Sequence, residues 1–202
     1  MPEDPAPAPG PPRRLRIVGV SGAGKTRLAR DVAERLRVPH LELDAVFWDA
    51  GWAYRDLGEA HAMIDAFVAD HPDGWVAEGN WSSRLEGRLD PGTPDGADVL
   101  VWLDLPRWLV MVRVVRRTIA RGVLRTSLWH GNRERPRDWL RWDPERNIVR
   151  WAWVQHPVVR SRMLARMGDT RTTSRGAAPA IVQLGSPRAV RAFVDGLGAS
   201  RS

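Results

Sequence analysis

Two kinds of hydrophobic pattern alternate along most of the chain. Short, continuous apolar runs are typical of buried strands, and apolar residues that recur every three or four positions are typical of helices. The apolar runs predict five strands, over residues 16–20, 40–43, 75–77, 98–103 and 181–184. The helical spacing predicts helices over residues 25–36, 59–69, 106–120, 143–167 and 187–197. Strands that alternate with helices predict an α/β fold, with a five-stranded parallel sheet and right-handed crossovers.

Composition favours one domain. The chain has 202 residues, of which 43% are hydrophobic, and this is enough for one sizeable core. Residues 1–14 are rich in proline, so we expect a disordered tail there and not a signal peptide, followed by a single domain over residues 15–198. The sequence has no cysteine and no apolar stretch of the roughly 18 residues that a membrane span needs. We therefore expect a cytoplasmic protein without disulfides.

Positive charge is concentrated in one segment. Residues 107–150 contain 12 arginines and four acidic residues, hence a net charge of +8, whereas the whole chain carries +7. A nucleic acid would therefore meet this segment, and Trp129, Trp139 and Trp142 would stack on its bases. Arginine is used so consistently that lysine occurs only once, at Lys25.

That lysine belongs to a glycine-rich motif between the first predicted strand and the first predicted helix. Residues 19–26, G-V-S-G-A-G-K-T, fit the pattern G-x-x-x-x-G-K-[ST] of phosphate-binding loops, or P-loops. In such loops, backbone N–H groups surround phosphate oxygens, the lysine reaches the β- and γ-phosphates of ATP, and the Ser/Thr hydroxyl binds Mg²⁺. The sequence therefore predicts an ATP and Mg²⁺ site formed by Gly19, Ser21, Gly22, Ala23, Gly24, Lys25 and Thr26.

Acidic residues follow the predicted strands at the edge of the sheet where this loop lies. Ligands in open α/β sheets bind beyond the carboxyl ends of the strands. Asp44 ends the second strand, Glu78 ends the third, and Asp104 follows the fourth. Glu42 and Asp44 are two residues apart, so on a strand they would face the same way. If the protein is a kinase, at least one of these four acids serves Mg²⁺, and we predict that Glu78 does so with Thr26.

The segment LVWLDLPRWLVMVRVVRRTIARG, residues 100–122, resembles the nucleoside monophosphate kinases. In that family, a strand with an L-D-V-P-like end is followed by a helix whose arginines lead into a mobile lid. Arg113 and Arg117 follow Asp104 at the spacing seen in adenylate kinases. The resemblance implies a helical lid over about residues 117–143, with Arg113 against the adenine and Arg117 on the ATP phosphates. Arginines on a lid bring charge to the reaction after the substrate binds.

Similar resemblances indicate how the phosphoryl acceptor is held. The E-x-D of Glu42 and Asp44 is similar to the D-x-D of shikimate kinases, where one acid serves the water shell of Mg²⁺ and the other holds an acceptor hydroxyl. Glu78 stands where adenylate kinases carry the aspartate of their D-G-x-P-R motif. Arg84 and Arg88, on a short predicted helix after Glu78, would bind an acceptor phosphate through paired hydrogen bonds.

Five stretches resemble a group of small bacterial proteins often labelled DNA topology modulation proteins, which are adenylate-kinase-like P-loop proteins. These stretches are SGAGKTRLARDVAERL, PHLELDAVFWDAGW, EGNWSS, LDLPRW and WVQHPVVRSR, and the resemblance extends over about residues 15–195. The P-loop is common to a whole superfamily, whereas L-D-A-x-F-W and E-G-N-W are specific to this group. The stretch RTSLWHGNRERPRDW, in the predicted lid, departs from its pattern.

The combined features predict a phosphotransferase that moves the γ-phosphoryl group of ATP to a small acceptor. Its predicted catalytic residues are Lys25, Arg113, Arg117 and Asp44. The arginine pair at the acceptor favours a nucleoside monophosphate. An Asp44 that orients a hydroxyl favours a small-molecule hydroxyl kinase, similar to shikimate or gluconate kinases. A nucleic-acid-associated P-loop ATPase is a third reading, although no recognised nucleic-acid motif is present.

Overall fold

The five predicted strands form one parallel sheet. The computed structural model describes residues 12–124, 128–132, 147–168 and 180–199. The strands are β1 (Arg14–Gly19), β2 (His40–Glu42), β3 (Trp75–Glu78), β4 (Val99–Leu103) and β5 (Ala180–Leu184). All pairs are parallel, in the order β2-β3-β1-β4-β5. The predicted α/β fold class is confirmed.

Helices connect the strands. They are α1 (Lys25–Leu36), α2 (Leu43–Phe47), α3 (Leu57–Asp70), α4 (Ser82–Leu85), α5 (Arg107–Leu124), α6 (Ile148–Gly168) and α7 (Pro187–Ala199). Short 3₁₀ turns occupy Ala50–Trp52 and Trp129–Gly131. In the described ranges, no helix is long and apolar enough to cross a bilayer. Residues 1–11 of the expected tail and residues 143–146, where the fourth predicted long helix begins, lie outside the described residues.

Helix α1 forms where its sequence predicts it. Its apolar residues recur at helical spacing, and all of them are buried: Leu28, Ala29, Val32, Ala33 and Leu36. The helix ends because Arg37 adopts a left-handed conformation, with its N–H directed at the carbonyls of the last turn. Helix α1 contacts β1, β2, β3 and α7, so its first turn is held firmly at the carboxyl edge of the sheet.

The central strands are buried along most of their length. Leu15, Ile17 and Val18 of β1 and Leu100 and Val101 of β4 have almost no exposed surface. This agrees with the continuous apolar runs in the sequence, because helices cover both faces of a parallel sheet. Helices α5 and α6 pack against each other, and α2 and α3 cover a second apolar cluster beside β3.

One charged side chain interrupts the buried part of β1. Arg16 is fully buried, and its guanidinium pairs with Asp90 and donates to the Ser82 hydroxyl over 3.1 Å. Asp90 also pairs with Arg166 of α6 over 2.8 Å. Burial lowers the pKa of Arg16 to about 10, although Asp90 opposes this shift. The ion-pair network therefore ties α6 to β1.

Candidate functional site

The glycine-rich loop connects β1 to α1, as its motif predicts. Gly19 has a φ of +152°, and a Cβ at this position would lie 3.0 Å from the Leu103 Cβ. Gly22 has a φ of +85°, and a Cβ there would overlap Val114 of α5. Both positions therefore require glycine, because the backbone conformation is unfavourable for other residues and because β4 and α5 approach closely.

The first two residues of α1 carry the functional groups of the loop. Lys25 is half-buried, and its Nζ lies 3.5 Å from the carbonyl oxygen of Val20. The Lys25 ammonium group therefore lies over the loop, at the position where a triphosphate would bind. The Thr26 hydroxyl donates a hydrogen bond of 2.6 Å to Glu78 Oε1, at the end of β3. The predicted pair of Thr26 and Glu78 is thus in direct contact.

Glu78 is a buried carboxylate with spare bonding capacity. Only 2% of the residue is exposed, and its Oε2 has no hydrogen-bond partner in the part of the chain that the structure describes. Burial raises the pKa of Glu78 above its usual value, whereas the Lys25 ammonium and the Thr26 hydrogen bond oppose the shift. An unpartnered carboxylate oxygen beside a hydroxyl is a suitable oxygen donor set for Mg²⁺, which takes few protein ligands and binds phosphates as well. In the described ranges, no group of three acidic, histidine or cysteine residues forms a complete metal cage.

The placement of Asp44 differs from the prediction. Strand β2 ends at Glu42, and Asp44 lies in the first turn of α2. The expected alternation that would put both acids on one strand face is therefore wrong. Although burial acts to raise it, hydrogen bonds from Trp129 and Arg30 hold the pKa of Glu42 below its usual value. Asp44 Oδ1 accepts a hydrogen bond of 2.6 Å from Trp81 Nε1, and its Oδ2 has no partner among the described residues.

Asp104 serves to hold the elements around β4 and β5 together. Its Oδ2 accepts hydrogen bonds from Arg160 of α6 over 3.2 Å and from Gln183 of β5 over 2.7 Å. Asp104 therefore has a structural role in this arrangement. Among the four acidic candidates, Glu78 is the one that contacts the loop threonine.

Two arginines of α5 reach the P-loop. Arg113 donates from Nη1 to the carbonyl oxygen of Ala23 over 3.1 Å, and Arg117 donates from Nη2 to the Ser21 hydroxyl over 2.8 Å. They are one helical turn apart, so both project from the same side of α5. The structure thus brings the two predicted lid arginines to the loop that the motif identifies.

The two predicted acceptor arginines have different partners. Arg84 donates from Nη2 to the carbonyl oxygen of Arg55 over 2.9 Å, and its buried Nε has no hydrogen-bond partner among the described residues. Arg88 instead pairs with Asp65 of α3 over 3.2 Å. Tertiary packing of α3 beside α4 supplies this acidic partner, which local spacing does not indicate.

An aromatic cluster surrounds Asp44 and Arg84. Trp81 stacks on Phe47 and meets Trp48 and Tyr54 edge-on, with ring centroids 4.8, 5.4 and 6.0 Å away. The Arg84 guanidinium lies 5.5 Å from the Phe47 ring and 5.1 Å from the Tyr54 ring. The cluster therefore places a carboxylate and a guanidinium around one set of aromatic rings.

Asn80 is a site residue that the sequence reasoning missed. Its Nδ2 donates to the carbonyl oxygen of Gly19 over 2.7 Å, and its Oδ1 accepts from the Gly19 N–H over 3.0 Å. The stretch E-G-N-W was recognised as a unit, but its members reach three different places: Glu78 contacts Thr26, Asn80 contacts the P-loop backbone, and Trp81 contacts Asp44. The sequence signal was a polar residue two positions beyond the strand end, after Gly79.

The turn of residues 128–132, within the predicted lid, contacts the segment that follows β2. The Asn132 side chain accepts from the Trp52 N–H over 3.1 Å and donates to the carbonyl oxygen of Asp49 over 2.8 Å. Together with the bond from Trp129 to Glu42, these contacts fasten the turn to the segment after β2. The described part of the predicted lid therefore contacts the region around Asp44.

Comparison with solved structures finds kinases of similar fold. A shikimate kinase from Acinetobacter baumannii in complex with shikimate superposes with a TM-score of 0.50 and 16% identity, over 92% of this chain and 90% of that one. A shikimate kinase from Bacteroides thetaiotaomicron has a TM-score of 0.48 and 15% identity, over 93% of this chain and 97% of that one. A gluconokinase from Sinorhizobium meliloti has a TM-score of 0.43 and 16% identity, over 95% of this chain and 93% of that one. No protein-family model and no curated protein matches the sequence.

The chain shares the fold of the Acinetobacter baumannii shikimate kinase. The sheet order and the strand–loop–helix position of the glycine-rich motif agree with this assignment. The finer resemblance to the DNA topology modulation group stays a prediction from the sequence. For the nucleic-acid reading, Trp129 is engaged with Glu42, and the other two tryptophans of that prediction, Trp139 and Trp142, lie outside the described residues.

Proposed function

We propose that the protein is a kinase that transfers the γ-phosphoryl group of ATP to a hydroxyl of a small acceptor. The observation that supports this most directly is the convergence of functional groups on one loop. Lys25 and the Thr26–Glu78 pair approach it from α1 and β3, and Arg113 and Arg117 approach it from α5. These are the groups that phosphoryl transfer needs, because its catalysis rests on positioning and on charge stabilisation.

The residues of the loop hold the donor. The loop amides and the first turn of α1 bind the phosphates, and Lys25 contacts the β- and γ-phosphates as a compact point charge. Thr26 and Glu78 would hold Mg²⁺, which when bound neutralises phosphate charge. Arg113 and Arg117 would exchange their present contacts with Ala23 and Ser21 for contacts with the nucleotide.

Asp44 is the group that we assign to the acceptor hydroxyl. Its Oδ1 is fixed by the Trp81 indole, so Oδ2 has a defined direction in which to accept a proton. In the transfer step, the acceptor oxygen forms a bond to the γ-phosphorus and the bond to the bridging oxygen breaks. ADP leaves with that oxygen, and the hydroxyl proton passes to Asp44 Oδ2.

The acceptor side favours a hydroxyl compound that also carries an anionic group. Arg88 pairs with Asp65, so we assign the anionic group to Arg84. The Arg84 Nε has no hydrogen-bond acceptor among the described residues, and an anionic group on the substrate would supply one. Two of the similar structures are a shikimate kinase and a gluconokinase. Shikimate and gluconate are hydroxy acids of this class.

A nucleoside monophosphate is the second candidate. Arg84 would then bind its phosphate, and the aromatic cluster around Trp81 would contact its base. The two candidates differ in which residue controls the reaction, since Asp44 would be less important for a phosphate acceptor.

The test is a coupled assay of ADP release across shikimate, gluconate, other small hydroxy acids, neutral sugars and nucleoside monophosphates. We expect turnover above the ATPase background with a hydroxy acid. Turnover confined to nucleoside monophosphates would favour the second candidate, and the absence of ATP binding by calorimetry would refute both.

A further inference from the structure

The contact between Asn80 and Gly19 joins the acceptor half of the site to the donor loop. We propose that Asn80 is a positioning residue of the nucleotide site, whose carboxamide holds the first peptide groups of the P-loop in their phosphate-binding orientation. The two hydrogen bonds, of 2.7 and 3.0 Å, are reciprocal and use both the donor and the acceptor of the side chain. The inference rests on the proposed function, because it presumes that the loop binds ATP.

The position of Asn80 follows from the end of the sheet ladder. Strands β1 and β3 pair as far as Ile17 and Glu78, and the Gly79 N–H donates to the Ile17 carbonyl over 3.1 Å. In a regular parallel ladder, the N–H and C=O of Gly19 would pair with residues 79 and 81 of the neighbouring strand. The chain turns away at Gly79, which has a φ of +142°. The Asn80 carboxamide takes over both bonds, so it replaces a missing peptide group.

Asn80 holds Gly19, whose backbone conformation depends on its hydrogen-bond partners. Gly19 is the last residue of β1 and has a φ of +152°, and on its other side it pairs with Leu103 of β4. Without Asn80, the peptide groups of Gly19 would lose their partners on the β3 side. Water could replace these bonds but would not fix the direction in which the following residues leave the strand. The loop amides would then point at phosphates less consistently, which lowers affinity because the loop must be ordered upon binding.

The chemistry of the side chain is specific. Aspartate at position 80 would accept from the Gly19 N–H but would repel its carbonyl oxygen, and it would add a negative charge beside the phosphates. Alanine would remove both bonds without adding charge. Asn80→Asp should therefore impair nucleotide binding at least as strongly as Asn80→Ala, whereas a purely steric role would make aspartate the milder change.

The experiment compares three variants of the full chain with the wild type. Asn147 provides a control, because its carboxamide oxygen accepts hydrogen bonds from the N–H groups of Val149 and Arg150 at the start of α6, away from the P-loop. ATP·Mg²⁺ binding is measured by calorimetry for Asn80→Ala, Asn80→Asp and Asn147→Ala. Thermal unfolding is recorded for each protein without nucleotide and with ATP·Mg²⁺.

We expect both Asn80 variants to bind ATP about tenfold more weakly, which corresponds to about 1.4 kcal/mol for ordering the loop upon binding. Their unfolding temperature without nucleotide should fall modestly, because the part-buried Gly19 peptide groups lose two hydrogen bonds, and their stabilisation by ATP should shrink. Asn147→Ala should also lower the unfolding temperature but should keep the wild-type ATP affinity. Wild-type ATP affinity in Asn80→Ala would overturn the inference while leaving the proposed function intact. A loss of ATP affinity that is fully explained by the lower stability of the protein without nucleotide would do the same. A wild type that binds no ATP would instead refute the proposed function.

Discussion

The Thr26 hydroxyl donates a 2.6 Å hydrogen bond to Glu78, a carboxylate that is almost fully buried at the end of β3. The two residues are 52 positions apart, and the parallel pairing of β1 with β3 brings them together. Burial raises the pKa of Glu78, which means that the folded protein without ligand disfavours the ionised form of this carboxyl group. A bound Mg²⁺ would reverse that balance, because it favours the carboxylate.

Glu78→Gln should change the pH dependence of stability. A carboxyl group whose pKa is raised by folding contributes stability that is fully present below its unfolded pKa and is lost as the pH rises through its folded pKa. For Glu78 this loss begins near the ordinary glutamate value of 4.5 and continues above it. The glutamine variant lacks the loss, so its free energy of unfolding, measured in urea, should rise relative to the wild type as the pH increases through that window. A difference that is independent of pH would contradict the assignment.

The same variant should lose its response to magnesium. Glutamine still accepts from the Thr26 hydroxyl but does not provide an anionic ligand. We expect the wild type to be stabilised more by ATP with Mg²⁺ than by ATP alone, and Glu78→Gln to show little difference between the two conditions. Thermal unfolding at neutral pH measures this directly.

Lys25→Ala should abolish phosphoryl transfer without unfolding the protein, because the loop amides and the buried face of α1 remain. Lys25→Arg should fail to restore turnover, since the planar guanidinium does not fit where a compact ammonium lies 3.5 Å from the Val20 carbonyl. We expect kcat/KM to fall about 10²-fold or more in both variants, the scale of a lost electrostatic stabiliser. Full turnover with arginine would refute the interpretation that lysine is retained for chemistry.

Arg113→Ala and Arg117→Ala should affect kcat more than ATP affinity. Both arginines now bind protein oxygens of the loop, and we expect them to stabilise charge that develops during transfer. Each substitution should lower kcat about 10²-fold. Arg116, adjacent in sequence but exposed on another side of α5, is the matched control, and Arg116→Ala should leave kcat near the wild-type value. If the Arg113 and Arg117 variants changed only KM, the assignment would be incorrect.

Asp44→Asn and Arg84→Ala should separate the two acceptor classes. For a hydroxy acid, Asp44→Asn should reduce kcat strongly, because an amide does not take the proton, and Arg84→Ala should raise the acceptor KM. Loss of a charge-assisted hydrogen bond of about 1.5–3 kcal/mol corresponds to a rise of about 10- to 150-fold. Steady-state kinetics with the acceptor found in the screen gives both values. A mild effect of Asp44→Asn with a large effect of Arg84→Ala would indicate a nucleoside monophosphate.

Asp90→Ala should destabilise the protein by about 3–5 kcal/mol, because it leaves the fully buried Arg16 without its counter-charge. Urea unfolding measures the change. Asp95→Ala is the control, since its side chain is 78% exposed in an ion pair of 3.9 Å, and it should cost at most about 1 kcal/mol. Adding Arg16→Met to Asp90→Ala should recover part of the loss, and a double variant less stable than Asp90→Ala alone would count against the explanation.

Local patterns were sufficient where a structure depends on neighbours in sequence. The predicted helix over residues 25–36 has the same bounds as α1, and the glycine-rich motif forms its loop between the predicted strand and helix. Helix α2 was missed because it begins directly after β2 and is five residues long. Its signal was present: Leu43, Val46 and Phe47 have helical spacing and are buried in the second apolar cluster. Because α2 was missed, the prediction placed Asp44 at the end of a strand, whereas it lies in the first turn of a helix.

The sequence by itself determined the alternating α/β architecture, the phosphate-binding loop and the candidates for charge around it, because periodicity and a contiguous motif express these features locally. The tertiary structure decided which candidates meet. It brought the predicted pair of Thr26 and Glu78 into contact, directed Arg113 and Arg117 to the loop, and assigned Asn80 to the Gly19 backbone. It also paired Arg88 with α3. Which polar groups meet depends on strand register and helix packing between residues far apart in the chain, and neither can be read from local spacing.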